Sequence, residues 1–415
     1  MNFIVKVMQN FKKNLQANNN KTLINLWSAE LINRSAYMTG KFALPFFAKG
    51  LGANSALIGT ISSISTITGI FLKPIIGGLG DKFSKRQLLI IANIIFSITP
   101  ILYLIIYEPY QLIIIRLFHG LSTAIYGPIT LAVITSIYVN NRATYIGWFG
   151  TGRTIGYLLG PITGGVLLFY FQPKTLFIIT GLISFLAFIP ILTDRSYNLP
   201  NNNKNTNLKK EFTIFINKII QLTKLRQIWI VGLIEWSFYA VFYSMKVFIP
   251  LYLVTSGHNT LIAGSFLTTS EIIHILLRPL GGLSGDKLGF YPNILFGLIL
   301  LSISMFFVSY SLNTSTLFIP AIFIGISEAT VLPSAIALVS LHTNVNNIGT
   351  VMGIIGSLRN FGKVFGPIFI GILINIFSYK KVFQIIGLLN LGIILSIIFI
   401  AIILILTKLN TGKKN

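Results

Sequence analysis

The amino-acid sequence predicts an all-α integral membrane protein with twelve transmembrane helices in two six-helix, pseudo-symmetric halves. Hydrophobic residues make up 53% of the 415 residues and charged residues only 10%, whereas charged residues are about a quarter of an ordinary soluble domain. Apolar runs of about 20 residues, enough to cross about 30 Å of hydrocarbon, recur about twelve times between residues 22 and 407. The second half of the chain also repeats the glycine, proline and charge pattern of the first.

The positive charges follow the pattern of a membrane topology and not that of a nucleic-acid surface. The formal net charge is +23, and basic residues concentrate in the segments on one side of the predicted spans, as cytoplasmic segments do. We therefore expect a multi-pass protein of the bacterial inner membrane, embedded in the lipid bilayer, with both termini in the cytoplasm and no nucleic-acid partner. The cytoplasmic set includes Lys12, Lys13, Lys82, Lys85, Arg86, Lys209, Lys210 and Lys413, against Lys49, Lys174, Lys380 and Lys381 outside.

Residue types that support catalysis or metal binding are sparse. The chain has no cysteine, which excludes disulfides and thiolate metal sites. Its four histidines form no HExxH spacing, and no GxSxG motif is present. The sequence therefore predicts neither an enzyme nor a bound metal or other cofactor.

A polar stretch divides the chain into its two halves. It includes the Asn-rich segment NLPNNNKNTN, a composition typical of flexible linkers. We predict an N-terminal half over residues 1–193, a cytoplasmic linker over 194–226, a C-terminal half over 227–407 and a basic tail over 408–415. An offset of 205 residues superposes Glu30 on Glu235, Lys41 on Lys246, Gly52 on Gly257, Lys73 on Arg278 and Asp81 on Asp286. An offset of 206 superposes Arg153 on Arg359, Gly156 on Gly362, Gly160 on Gly366 and Pro161 on Pro367.

Two parallel six-helix repeats are an architecture of transporters that work by alternating access. In such proteins the substrate site lies near the middle of the membrane, between the halves. We therefore expect a small-molecule substrate.

The segment GGLGDKFSKR, between the second and third predicted helices, resembles the loop that marks the major facilitator superfamily. Ser84 stands where glycine is commoner, and the repeat copy, GLSGDKLGF, lacks the trailing basic pair. Arg116 and Gly120 resemble the helix-4 motif of the same superfamily. The resemblance covers essentially the whole chain and implies the major facilitator fold and a monomer. It implies a gating role for Gly77, Asp81, Lys82, Lys85, Arg86, Gly285, Asp286 and Lys287.

The fifth predicted helix carries the spacing Gx8Gx3GPxxGG, which begins at Gly147. This spacing resembles the signature of proton-coupled exporters, especially drug:proton antiporters. Because the second half repeats most of it, packing inherited by both halves is an alternative interpretation. The residues to which the resemblance gives a gating role are Gly156, Gly160, Pro161, Gly164 and Gly165.

Ionisable residues inside the predicted spans are candidate functional residues, because a charge in hydrocarbon needs a partner or a water-filled cavity. A carboxyl in a low-dielectric cavity can exchange a proton near neutral pH. Each acid can serve in coupling, in substrate binding or in a static ion pair. Glu328 has no ionisable neighbour within one turn, so it is the freest proton carrier, and Glu271 with His274 is next. The predicted coupling residues are Glu328, Glu271, His274, Glu30 and Glu235.

The predicted substrate-binding residues are cationic or aromatic. Within the spans bases outnumber acids, which favours an anionic substrate. Helix 8 brings Arg278 one turn beyond His274, where Glu271, His274 and Arg278 could touch. The predicted substrate-binding residues are Arg34, Tyr37, Arg116, Tyr126, Arg153, Tyr239 and Arg359.

The leading hypothesis is a proton-coupled exporter of small organic molecules. An importer or facilitator of sugars or organic anions in the same superfamily is the alternative, and sodium coupling is also open. A non-transporting receptor or assembly factor is a remote alternative, because a fold by itself does not determine function.

Overall fold

The computed structural model describes residues 19–79, 83–138, 142–194, 217, 220–310, 313–341, 343, 348–392 and 394–395. Within them the long regular elements are helices, which we number α1 to α12 in chain order. A short helix, Phe188–Thr193, extends the sixth. The helices are α1 Asn19–Gly50, α2 Ser55–Leu79, α3 Lys85–Ile101, α4 Gln111–Ile137, α5 Arg142–Tyr170, α6 Pro173–Leu186, α7 Arg226–Thr255, α8 Thr260–Leu288, α9 Phe290–Tyr310, α10 Thr314–Leu341, α11 Ile348–Ile376 and α12 379–392.

Nine of these helices are long and apolar enough to cross a membrane when the described residues are judged by length and composition. They are α2, α3, α4, α6, α7, α8, α9, α10 and α11. The first and fifth helices carry charged residues and, in α5, many glycines. The arrangement confirms the predicted all-α membrane fold.

The described helices fall into two compact units. The first consists of residues 1–47 and 67–204, and the second of residues 48–66 and 205–415. The start of α2 belongs to the second unit because it packs against α11. There the backbone N–H of Ser55 donates to Asn375 Oδ1 at 3.0 Å, and Ser63 Oγ donates to the carbonyl of Val364 at 3.1 Å.

In the first unit, α3 packs between α4 and α6. Its apolar core includes Phe96, Ile129 and Phe149. A buried amide pair joins α1 to α3, where Asn33 Nδ2 donates to Asn93 Oδ1 at 2.7 Å. This bond satisfies a donor of Asn33 and the acceptor oxygen of Asn93 in the buried interior, where polar groups need a partner.

In the second unit, α8 and α9 pack against α10, and α7 packs against α11. Asn293, near the start of α9, ties three helices together. Its Nδ2 donates to the carbonyl of Gly281 on α8 at 2.9 Å and to Ser334 Oγ on α10 at 2.8 Å.

The same turn follows α1 and α7, the first helices of the two sequence repeats. Gly52 follows α1 with φ 87°, and Gly257 follows α7 with φ 96°. A positive φ is costly for residues with a Cβ, so glycine is required at both positions. These glycines superpose at the repeat offset of 205 residues. The predicted domain boundaries, including the linker at 194–226, remain predictions.

Candidate functional site

One carboxylate oxygen of Glu30 is the centre of a charged cluster in the first unit. Glu30 Oε1 accepts hydrogen bonds from Nε and Nη2 of Arg34, at 3.1 and 2.9 Å, and from Nε of Arg153, at 2.7 Å. Glu30 is 1% exposed, whereas the side chain of Arg153 is 35% exposed. The spacing of four residues on α1 puts Arg34 on the same face as Glu30. The third member comes from α5 and was not predicted as a partner.

The second unit repeats the ion pair between its first and fifth helices. Arg359 on α11 donates from Nε to Oε2 of Glu235 at 2.6 Å and from Nη2 to Oε1 at 2.9 Å. Glu235 is fully buried. Because Glu235 superposes on Glu30 and Arg359 on Arg153, the repeat alignment contained the signal for both pairs. Intrahelical spacing alone could not reveal them.

Each unit also stacks a cation on a tyrosine beside its ion pair. In the first unit, the guanidinium carbon of Arg34 lies 5.7 Å from the ring centre of Tyr157. In the second, Nζ of Lys363 lies 4.6 Å from the ring centre of Tyr239. At the repeat offsets, Tyr239 stands in the place of Arg34 and Lys363 in the place of Tyr157. Both units therefore keep a cation–π contact between their first and fifth helices. The cation is on the first helix in the first unit and on the fifth helix in the second.

A second charged cluster in the second unit joins α7, α8 and α10. Nζ of Lys246 donates to Oε1 of Glu271, and Nδ1 of His274 lies 3.8 Å from the other oxygen of Glu271. The same nitrogen lies 3.3 Å from Oε2 of Glu328. The predicted coupling residues of α8 and α10 therefore lie together. Arg278 makes no ion pair with them in the described residues.

In this cluster, His274 and Glu328 have polar atoms without a hydrogen-bond partner in the described residues. Oε2 of Glu328 and both ring nitrogens of His274 are buried and have no hydrogen-bond partner within the part of the chain that the structure describes. Glu328 is 6% exposed. A buried polar atom without a partner is rare in proteins and marks a candidate functional group.

Glu271, His274 and Glu328 also offer donor atoms within 4.8 Å of one another, close enough to surround a metal ion. The ammonium group of Lys246 already supplies a positive charge to Glu271. For that reason we do not assign these residues as metal ligands.

Arg116 and Tyr126, both predicted to bind substrate, lie in the packed interior of the first unit, each 1% exposed. The guanidinium carbon of Arg116 lies 5.8 Å from the ring centre of Tyr37, which in turn contacts His119 edge-on at 4.6 Å. Tyr126 packs edge-on against Phe96 at 5.9 Å. The predicted role of these residues in substrate binding remains a prediction.

The loop between α2 and α3 is described only in part. Its predicted gating residues Asp81 and Lys82 lie outside the described residues, Gly77 lies on α2, and Lys85 begins α3. Arg86 is held by its Nη2, which donates to the carbonyl of Leu192 at 3.0 Å. This bond links the cytoplasmic start of α3, as predicted from charge, to the end of the sixth span.

The corresponding end of α8 carries the second set of predicted gating residues. A Cβ at Gly285 would press on Ser334 Oγ of α10, so glycine allows the two helices to approach closely. Asp286 and Lys287 are exposed. Their gating role remains a prediction.

The glycines of α5 line its contact with α1. A Cβ at Gly156, Gly160 or Gly164 would overlap the side chain of Arg34, Met38 or Phe42, respectively. Pro161 lies within the same helix, and Gly165 is buried. In the second unit, a Cβ at Gly362 or Gly366 would overlap the backbone of α7. Close helix packing is thus a shared function of this glycine pattern in both units.

Several curated proteins are similar in sequence over most of their length. The "Uncharacterized MFS-type transporter MJ1560" of Methanocaldococcus jannaschii is 24% identical, over 82% of this chain and 88% of that protein. The "Multi-drug resistance efflux pump PmrA homolog" of Lactococcus lactis is 25% identical, over 81% and 84%. The "Multidrug resistance protein MdtG" of Escherichia fergusonii is 22% identical, over 88% and 90%.

Solved transporter structures share the fold at low identity. The nucleoside transporter NupG superposes with a TM-score of 0.78 at 14% identity, covering 91% of this chain and 98% of NupG. A bacterial homologue of the human lysosomal transporter Spinster gives 0.73 at 15% identity, covering 93% and 95%. The family model of the Major Facilitator Superfamily matches residues 26–316 and 261–414, which confirms the resemblance predicted from the loop and helix motifs. The chain therefore belongs to the Major Facilitator Superfamily and is a multi-pass membrane transporter, not an enzyme.

Proposed function

We propose that this transporter is a proton-coupled exporter of small organic molecules that works as an antiporter by alternating access. The observation that carries the proposal is Glu328, a buried carboxyl whose Oε2 has no hydrogen-bond partner in the described residues and lies 3.3 Å from His274 Nδ1. A carboxyl in such surroundings can accept a proton from one side of the membrane and release it to the other.

The neighbours of Glu328 suit a coupled proton exchange. Glu271 is bonded to Lys246, so a proton that reaches Glu328 changes the charge balance of a four-residue cluster that joins α7, α8 and α10. His274 lies between the two carboxyls, where an imidazole can relay protons. Glu30 and Glu235, by contrast, are each bonded to arginine, which favours the static ion-pair interpretation for these two acids.

The direction of transport is inferred from the relatives. The matched MdtG and PmrA proteins carry the names of multidrug resistance and efflux proteins, in agreement with the exporter-like glycine spacing of α5. Import or facilitated diffusion is the alternative function, since NupG is named a nucleoside transporter, but the likeness to NupG concerns the fold alone. We also propose the bacterial inner membrane as the location and a monomer as the working form.

The test uses energised inside-out vesicles that contain the protein and a pH-sensitive dye. A panel of anionic, neutral and cationic compounds is added in turn. We expect one class to dissipate the pH gradient, and we expect Glu328→Gln to abolish this response while substrate counterflow without a gradient persists. An amide of the same shape cannot carry the proton.

The matched control is Glu108→Gln, which changes an exposed acid in the loop before α4 and should leave the response unchanged. Wild-type proton movement in Glu328→Gln would overturn the assignment of Glu328. No dissipation by any compound, with the protein confirmed in the membrane, would favour a facilitator, a sodium-coupled importer or a non-transporting role.

A further inference from the structure

We infer that the first unit contains a receptor for the carboxylate of an aromatic organic acid, formed by Arg34, Arg153 and Lys73 around Glu30. The inference rests on the proposed function, because it names the substrate class that the same carrier would move. All four residues lie in the first unit.

The two arginines keep unused hydrogen-bond donors. All the donors that reach Glu30 converge on Oε1: Nε and Nη2 of Arg34, and Nε of Arg153. Nη1 of Arg34 and both terminal nitrogens of Arg153 thus make no hydrogen bond with other described residues. Arg359 in the second unit differs, because its Nε and Nη2 each take one oxygen of Glu235. The open end of Arg153 retains the two-nitrogen geometry that binds a carboxylate.

Lys73 adds a third positive charge to this cluster. Its ammonium group is near enough to Arg34 and Arg153 to be repelled by them, it is exposed, and it has no ion pair in the described part of the chain. Two arginines bonded to Glu30, with Lys73 beside the arginines, leave an excess of two positive charges. Since an uncompensated charge within a membrane span must face a partner or a water-filled path, an anionic ligand fits this position.

The repeat shows that the excess is specific to the first half. In the second half, the acids Glu271 and Glu328 balance the neighbouring bases. At the offset of 205 residues, Thr66 and Thr123 stand in their places, while the base at Lys73 is kept. The first half has therefore retained the cation without the acids that accompany it in the second.

Aromatic rings lie beside both arginines. The ring centre of Tyr157 is 5.7 Å from the guanidinium carbon of Arg34, and that of Phe149 is 5.7 Å from the guanidinium carbon of Arg153. Phe149 belongs to the buried core, whereas Tyr157 is partly exposed, so Tyr157 would supply the apolar surface for the ring of a ligand held by the two arginines. This argues for an aromatic acid over a small inorganic anion.

The experiment measures equilibrium binding of three probes to the purified full-length protein in detergent, by isothermal calorimetry. Benzoate carries the carboxylate, benzamide is its neutral analogue and benzylamine is cationic. We expect saturable binding of benzoate and at least tenfold weaker binding of the other two. Lys73→Gln and Arg153→Gln should each weaken benzoate binding about tenfold, the effect of losing one charge-assisted hydrogen bond.

The matched control is Arg278→Gln, which removes the cation at the repeat position of Lys73 and breaks no ion pair of the described residues. It should bind benzoate as the wild type does. Lys73→Gln likewise breaks no ion pair, and Arg153→Lys keeps the charge while losing the two-nitrogen fork, so it should show an intermediate loss. If Arg153→Gln fails to fold, benzoate binding by Lys73→Gln and Arg153→Lys tests the inference in its place.

Three results would overturn the inference: no saturable binding of benzoate to the wild type, equal affinity for benzoate and benzylamine, or unchanged benzoate binding in Lys73→Gln and Arg153→Lys. The assay has no proton gradient, so its outcome is independent of the vesicle test. Benzoate binding without proton movement would reject the coupling proposal alone, and proton movement driven only by neutral or cationic compounds would reject the receptor alone.

Discussion

Glu235 and Glu328 are both buried carboxyls of the second unit, but they have different neighbours. Glu235 accepts two hydrogen bonds from one arginine, whereas Glu328 has an oxygen without a partner in the described residues. Removing one member of a buried ion pair leaves an uncompensated charge and costs about 3–5 kcal/mol. Neutralising a carboxyl that pairs with no arginine or lysine carries no such cost. The neighbours of each carboxyl thus separate a structural role from a coupling role.

We predict that Glu235→Gln lowers the free energy of unfolding by about 3 kcal/mol because it leaves Arg359 without its carboxylate. The double variant Glu235→Gln/Arg359→Gln should recover a large part of this loss. Glu328→Gln should cost less than about 1 kcal/mol. Thermal unfolding of the purified variants in detergent measures all three. Equal losses of unfolding free energy in Glu235→Gln and Glu328→Gln would show that the neighbours of a carboxyl do not distinguish a structural role from a coupling role.

At the scale of elements, the glycines of α5 and α11 set how closely these helices approach α1 and α7. A Cβ at Gly366 would overlap the backbone oxygen of Ala240, whereas a Cβ at Gly353, on the same helix, would meet nothing within 4 Å. Close packing also brings Arg359 within reach of Glu235. The glycine pattern that resembles an exporter signature therefore has a structural function in both units, in addition to the gating role that we predict for α5.

We predict that Gly366→Ala destabilises the protein by about 1–3 kcal/mol, the usual cost of overpacking. Gly353→Ala should be neutral or stabilising by about 0.5–1 kcal/mol, because alanine favours the helix and has room there. Detergent unfolding of the two variants, compared side by side, tests this. A stable Gly366→Ala would mean that α7 and α11 can separate without cost.

At the scale of the whole molecule, the chain is built from two units that share a repeat but differ in charge. Both keep the ion pair and the cation–π contact, while the acids at Glu271 and Glu328 occur only in the second. We accordingly propose proton coupling in the second unit and anion recognition in the first. We predict that the basic residues between α2 and α3 lie on the cytoplasmic side and so set the orientation of the molecule in the membrane.

The absence of cysteine makes this orientation easy to test, because a single introduced cysteine is the only thiol. We predict that Glu108→Cys, in the loop before α4, reacts in intact cells with a membrane-impermeant maleimide. Phe83→Cys, between α2 and α3, should react only in inside-out vesicles. Both positions are exposed. The opposite labelling pattern would reverse the predicted topology.

The sequence by itself determined the class of the protein. Hydropathy predicts about twelve spans, because each must cover the same thickness of hydrocarbon, and the loop and helix motifs carry the resemblance to the superfamily. These features follow from local composition and spacing. The sequence also placed Glu30 and Arg34 on one face of α1, since that contact depends only on the period of a helix.

Only the tertiary structure decided which charges are partners. Glu30 and Arg153 lie 123 residues apart in the chain, and Lys246 and Glu271 lie 25 apart, so no helical period could relate them. Lys246 on α7 donates to Glu271 on α8, while Arg278, on the same helix as Glu271, makes no ion pair with it in the described residues. Such contacts depend on which helices pack together and on how far long side chains extend, and these are properties of the folded units.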